Sequence, residues 1–495
     1  MNALQHWLLS FIVFAPLIGL LILAVLPNAK ASWHRTIGLL SMLPSLALSI
    51  YLYQRLNSGA DPLQWKQQLE WFHIGEMKLF YHLGVDGLSV MMLLLTAGIT
   101  LFAGIASLYI TTKTKLYYSL ILLLEVGVLG VFASQNLLLF FLFFEMTLVT
   151  LFLLISGWGG LEKKKASYMF LLYNGLGSAF LLFAIIGLLA FTSTLEVDQI
   201  KAVFAQVDLG GLPPEATTFV WAIFLSFMIA FAIKLPVFPF HTWMLKVHVE
   251  APPPVVMVHA GVLLKMGAYG MIRFGVGLFP AFFAKIATGL MILGLIGILY
   301  GAVLAFSQKE LKSVIAYSSV SHMGILVIGL ASLTEAGMQG AIYQAVSHGI
   351  ISALLFFLIT SLVERTRTTE LIELGGLAKQ LPILSGLFMV GAMGLLGLPG
   401  LSGFVSEFIA FLGVYQVNPQ IAIIGSLGFI IAAAYTLRAL LKVTYGQAVT
   451  RFQHLQDIQV REWLPMLLLV ILSIWMGIDP DWIGNQLHQT IQIGG

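Results

Sequence analysis

A chain of 495 residues that is 59% hydrophobic and only 9% charged, with a mean hydropathy of +0.96, is solvated mainly by lipid, because soluble domains carry charge at roughly a quarter of their positions. The absence of cysteine excludes disulfides, thiolate zinc sites, iron–sulfur clusters and thiol nucleophiles from the chain. A net charge of +3, with no basic cluster interleaved with aromatics, does not suit nucleic acid.

The N-terminal apolar run has no basic leading segment and no small-residue cleavage site, so it reads as a spanning helix and not as a signal peptide. Runs of about 20 apolar residues, enough to cross the hydrocarbon core, then recur with short polar breaks. They predict spans at 8–26, 34–53, 86–110, 116–133, 135–157, 167–190, 217–245, 253–278, 284–306, 311–333, 337–363, 382–413, 420–445 and 463–478. The expected fold is an all-α polytopic membrane protein of about 14 helices. Its longest loops are 54–85 and 191–216, and no water-soluble domain fits between the spans. Alternate loops hold 16 basic residues in one set, including Lys163, Lys164 and Lys165, and 6 in the other, including Arg273. The positive-inside rule puts the richer set in the cytoplasm and both termini outside.

Two helices look interrupted. Pro236 and Pro239 remove backbone donors from the seventh, and Pro399 with Gly397, Gly400 and Gly403 breaks the twelfth. Breaks five helices apart point to two inverted five-helix repeats, helices 4–8 and 9–13, around a mid-membrane site. The expected division is residues 1–115 for helices 1–3, 116–280 and 281–445 for the two repeats, and 446–495 for helix 14.

Lys234, Lys265 and Arg438, with Glu125, Glu145 and Glu407, fall inside spans. A charge at mid-bilayer costs about 2.5–3.5 kcal/mol even on insertion scales, so intramembrane ionisable groups read first as function. Glu145 lies between long apolar stretches, and its bland alternative is a protonated carboxyl bonded to a neighbouring helix. Lys234, one turn before the proline break, is its expected partner; separating the two would push the lysine to release its proton. Lys265 stands near mid-span among Gly261, Gly267 and Gly270, which allow close helix approach. His322 and His348, each preceded by serine in successive helices, suit proton relay. His241 and His259 read equally well as structural histidines, Glu125 is a second acid in the helix before Glu145, and Arg438 reads as snorkelling. Glu407 is the candidate terminal carboxylate. A phosphate loop and an HExxH zinc site are both missing, and no metal or bound cofactor is expected.

The segments LGVDGLSVMMLLLT, FFLFFEMTLV, FAIKLPVFPFHTW, HVEAP, AGVLLKMGAYG, SQKELKSVIAYSSVSHMG, AVSHGIISALLFF and LPGLSGFVSEF resemble the antiporter-like subunits of respiratory complex I, the NADH:quinone oxidoreductase. That family also includes multisubunit Na⁺/H⁺ (Mrp-type) antiporter and membrane-bound hydrogenase subunits. A glutamate, Glu407, in helix twelve and an end soon after helix fourteen resemble the subunit M, or chain 4, branch. The resemblance implies a proton-translocating subunit of a translocase, with Glu145 and Lys234 as coupling pair, Lys265 as central relay, His322 and His348 in a linking axis and Glu407 as terminal site. It implies NADH, FMN, iron–sulfur clusters and quinone on partner subunits, neighbouring subunits L and N with the lateral helix of L, surrounding lipids, and a bacterial-type cytoplasmic membrane. Met244-Leu245-Lys246 and Pro252-Pro253-Pro254 depart from the family pattern in the loop between helices seven and eight. The alternatives are a Na⁺/H⁺ antiporter subunit, a membrane-bound hydrogenase subunit and a structural scaffold.

Overall fold

The computed structural model describes residues 7–28, 30–56, 63–74, 77–206, 213–447 and 449–492. Among them, 13 helices are long and apolar enough to cross a membrane, and two shorter apolar helices complete one more span. The first six spans are Leu8–Val25, Ala31–Arg55, Gly87–Tyr109, Thr114–Ala133, Leu137–Trp158 and Lys163–Thr192. The seventh has two limbs, Pro214–Lys234 and Thr242–Glu250. Pro253–Val276, Pro280–Ser307, Leu311–Ala331 and Glu335–Thr366 are spans eight to eleven. The twelfth again has two limbs, Pro382–Leu395 and Ser402–Val417, and Pro419–Thr444 and Val460–Ile478 finish the set. Local chemistry explains many starts: Asp86, Asn136, Thr334 and Asn418 accept first-turn amide bonds, and Pro214, Pro253, Pro280, Pro382 and Pro419 stand where a missing N–H costs nothing.

Three elements stand outside the fourteen spans, two of them in segments expected to be loops. The loop 54–85 holds an antiparallel hairpin, β1 Gln64–Ile74 with β2 Met77–Val85. The hairpin is fastened at its end, where Gln135 N–H donates to the His82 carbonyl and Gln135 Nε2 to that of Gly84. The loop 191–216 holds the amphipathic helix Val197–Gln206, and a helix Asp481–Gln492 follows the last span.

The inverted repeat is written in backbone hydrogen bonds. In the first half Leu137 N–H donates to the Leu195 carbonyl and Val197 N–H to that of Gln135; in the second, Leu311 donates to Thr369 and Leu371 to Lys309. Ser193 and Arg367 end the sixth and eleventh spans in the same left-handed conformation, with φ of 59° and 60°. Thr192 and Thr366, just before them, make the same pair of hydroxyl bonds. The two breaks also match. Leu235, Val237 and Phe240 donate to Phe231, Ala232 and Val237, while Leu396, Leu398 and Leu401 donate to Ala392, Met393 and Leu398. Five helices per repeat give the halves opposite topology.

Spans eight, ten and eleven form the interior, each 94% buried, against 28–44% for spans two, six, nine and thirteen. Arg273 corrects its placement among loop charges: it is buried near the end of the eighth span and clasps the cap of the third. Its guanidinium donates to both Asp86 carboxylate oxygens at 2.6 and 2.7 Å, to Ser89 at 3.1 Å and to the Tyr269 hydroxyl at 3.3 Å. Removing one partner of such a pair strands a buried charge. Asp86→Ala is expected to destabilise by about 3–5 kcal/mol, read as a lowered melting temperature of the purified assembly. Pairing Asp86→Leu with Arg273→Met should recover most of that loss.

Candidate functional site

The eighth span begins as an α-helix and loosens into π turns at His259–Leu263 and Met271–Val276, a feature often found at functional sites. The first π turn contains Gly261, whose backbone meets Gly349 of the eleventh span. A Cβ on Gly349 would lie 2.7 Å from the Gly261 carbonyl oxygen, so only glycine permits this crossing. The approach brings Lys265 onto His348. The Lys265 ammonium donates to the Ala260 carbonyl at 2.5 Å and to His348 Nδ1 at 2.8 Å, joining the two repeats.

From His348 the contacts run into the second half. Its Nε2 lies 3.2 Å from the Ser319 hydroxyl, and its ring centroid lies 5.6 Å from that of His322. His322 Nδ1 faces Gln344 Nε2 at 3.2 Å and Glu407 Oε1 at 3.1 Å. The neutral ring accepts from Gln344, and the protonated ring donates to Glu407, so arrival of a proton exchanges one partner for the other. Ser406 donates to the Gln344 carbonyl. A cavity of about 10 Å³ lies among His322, Gln344, Ser347, His348 and Glu407, close to the smallest space that admits one water.

In the first half His248 Nε2 and His259 Nδ1 lie 2.9 Å apart with rings edge to face. Both are buried, and the charges acting on His259 include Lys234 and Lys265. The Lys234 ammonium sits 4.7 Å from the Phe144 ring centroid, an arrangement that stabilises a desolvated cation. Glu145 is the acidic group that acts on it. No ion pair closes between them, however: Lys234 Nζ and Glu145 Oε1 both lack a hydrogen-bond partner. The expected coupling pair is thus adjacent and open.

Two expectations fit less well. His241 is buried against Phe238 and Tyr300 with both ring nitrogens unpartnered, and no hydrogen bond joins it to the row. Glu125 is fully buried beside Thr100, but Thr100 already donates to the Thr96 carbonyl and both Glu125 oxygens lack a donor. Lys234 and Glu407 also stand on opposite limbs of their breaks, Lys234 ending the first limb and Glu407 lying inside the second. Folding still returns Glu407 to its break, since a Cβ on Gly397 would lie 2.7 Å from its Oε2.

Sequence reasoning missed His248, Gln344 and Ser319. Gln344 and Ser319 each lie one turn before a histidine already singled out, so helical spacing alone would have found them. His248 was hidden in the limb after the break, where the chain reads as loop.

The family model described as NADH:quinone oxidoreductase/Mrp antiporter, TM matches residues 134–432, which contain this entire row. NADH-quinone oxidoreductase subunit M of Rickettsia prowazekii (strain Madrid E) is 36% identical over 491 residues, covering 98% of each chain. The chain belongs to the subunit M (chain 4) family of NADH:quinone oxidoreductase. NAD(P)H-quinone oxidoreductase chain 4 of Acaryochloris marina (strain MBIC 11017) is 37% identical, covering 95% of this chain and 89% of its own. Among solved structures, a chain of respiratory complex I from Thermus thermophilus with bound NADH superposes with a TM-score of 0.86 at 30% identity, covering 98% of both chains.

The Gly261–Gly349 crossing gives a direct test. Gly349→Ala is expected to cost about 1–3 kcal/mol through overpacking and to depress activity of the assembled complex further than its melting temperature alone would predict. Gly175→Ala, where no atom lies within 4 Å of the added carbon, should stay within about 0.5 kcal/mol of the parent.

Proposed function

We propose that this chain is the subunit M component of an NADH:quinone oxidoreductase and carries protons across a bacterial-type cytoplasmic membrane, with both termini outside. Electron transfer from NADH through FMN and iron–sulfur clusters to quinone takes place on partner subunits. Neighbouring subunits of the L and N type, with the lateral helix of L, flank the chain. Residues 116–280 and 281–445 act as the two half-channels, 1–115 as the preceding helices and 446–495 as the closing segment.

The observation that carries this reading is the Lys265–His348 hydrogen bond at 2.8 Å, because it links titratable groups of one inverted half to those of the other. The row then falls into three bonded segments: His259 with His248, Lys265 with His348, and His322 with Glu407. Between them lie gaps, and at the second the small cavity provides room for a bridging water.

Electrostatics couples the successive sites. Two protons on His322 and His348, with centroids 5.6 Å apart, repel by about 3 kcal/mol at an effective dielectric near 20, or roughly a hundredfold in equilibrium. A charge entering at one end therefore expels a charge further along. An ionised Glu145 holds the Lys234 ammonium; when Glu145 is neutralised or drawn away, Lys234 yields its proton toward His259 and Lys265. His322 then exchanges Gln344 for Glu407 and delivers the proton to the terminal carboxylate. His241 and Glu125 serve as side groups to this path.

Lys234→Ala and Glu145→Ala test this in the assembled complex. Quinone reduction and proton uptake into vesicles are expected to fall together at least tenfold in each. Normal pumping in either variant would defeat the assignment. Sodium flux in vesicles without quinone reduction would instead support an Mrp-type antiporter.

A further inference from the structure

An apolar cavity of about 490 Å³ lies between the second, third, eleventh and fourteenth spans and the helix Asp481–Gln492. Ile50, Leu94, Gly98, Ile350, Leu472 and Trp475 are among its walls. That volume lies within the range of sites that hold whole ligands, and walls of this kind repel water. We infer that it holds one acyl chain of a membrane phospholipid.

Its depth matches the occupant. Along the third span the lining runs from Met91 to Phe102, about 16 Å at helical rise. That is roughly half of the 30 Å hydrocarbon core, the reach of one leaflet. We place the mouth at the end of the second span, where Tyr53 and Trp482 line the cavity, Tyr53 donates its hydroxyl to the Trp482 carbonyl at 3.0 Å and Trp482 stacks on Trp475 at 4.8 Å. Such aromatics mark the headgroup level. Arg55 is exposed there with Gln54 beside it, and Asp479 is close enough to act on Tyr53. Charges of both signs at the mouth complement a zwitterionic phosphoethanolamine headgroup.

The far wall gives the chain a role. Leu95 and Ile99 line the cavity and press on Gly349 and Gly261, the crossing that sets Lys265 against His348. A seated acyl chain backs that contact from the opposite side and holds the two spans together.

The test uses the intact complex reconstituted with phosphatidylethanolamine that carries a photoreactive group in mid-chain. Peptides containing Met91, Leu94 and Leu472 are expected to be labelled in the parent. Gly98→Phe points a ring into space where no atom lies within 4 Å, and should cut that labelling at least fivefold. Labelling of the exposed Leu172 face of the sixth span should not change. Arg55→Ala should reduce retention of the lipid through detergent washes. Three outcomes would overturn the inference: parent labelling no stronger than at Leu172, labelling unchanged in Gly98→Phe, or labelling abolished by excess quinone. Failure of Gly98→Phe to assemble while Gly98→Ala assembles would put a partner segment in the cavity and overturn it as well.

Discussion

A charge taken into the middle of a bilayer must be surrounded by protein, and every part of this architecture serves that requirement. Lys265 is fully buried, and it stays soluble in the protein because one carbonyl and one imidazole accept from it. Those acceptors are available for two local reasons. A π turn presents the Ala260 carbonyl to the side chain, and two glycines let a neighbouring helix approach until His348 is within reach. Neither feature is a property of lysine or histidine; both belong to the backbone that carries them. The same logic holds at Arg273, where a helix cap doubles as the counter-ion.

The inverted repeat adds a second constraint. The two halves share hydrogen bonds at their loop crossings and at their breaks, yet the side chains hung on that common frame differ. Two lysines and the His248–His259 pair line the first half and its crossing, whereas a carboxylate, a primary amide and two histidines line the second. One frame therefore carries groups that hold charge by different means. The titratable groups of the two halves meet in the Lys265–His348 hydrogen bond.

Much of this was legible in the chain itself. Apolar runs gave the order of all fourteen spans, and the two proline and glycine interruptions marked the broken ones. Lys234, Lys265, His322, His348 and Glu407 stood out because a titratable group within an apolar helix is costly to keep there. What stayed hidden were partners brought together only by folding. Arg273 was counted as a loop charge, and its partner Asp86 went unread, until folding brought the third and eighth spans together. His248 followed a proline break that obscured the helix carrying it. The hairpin Gln64–Val85 escaped a reading by helix-length apolar runs, because strands alternate at a period that such runs do not register. The open Glu145–Lys234 pair could not be foreseen either, because folding sets the Phe144 ring of span five, and not the Glu145 carboxylate, against the Lys234 ammonium.

The aromatic side chains of the first half form a cluster beside its charged groups. Phe227 and Phe231 precede Lys234 on the seventh span, Phe140 precedes Glu145 on the fifth, and Phe274 follows Lys265 on the eighth. Phe227, Phe231 and Phe274 stack on one another and Phe140 meets Phe231 and Phe274 edge to face, with centroids 4.9–6.3 Å apart, and Phe279 and Phe224 extend the cluster. They fill the bundle between the row and the end that holds Asn136, Pro213 and the hairpin. Under the proposed function, a proton on Lys234 faces this ring cluster in that direction, and aromatic rings offer it no lone pair in a hydrogen bond. The groups that can accept it lie sideways, at His259, His248 and Lys265. Under the proposed function, the ring cluster on one side and the crossing of glycines on the other turn movement of a proton across the membrane into movement along it, from one half of the chain to the other.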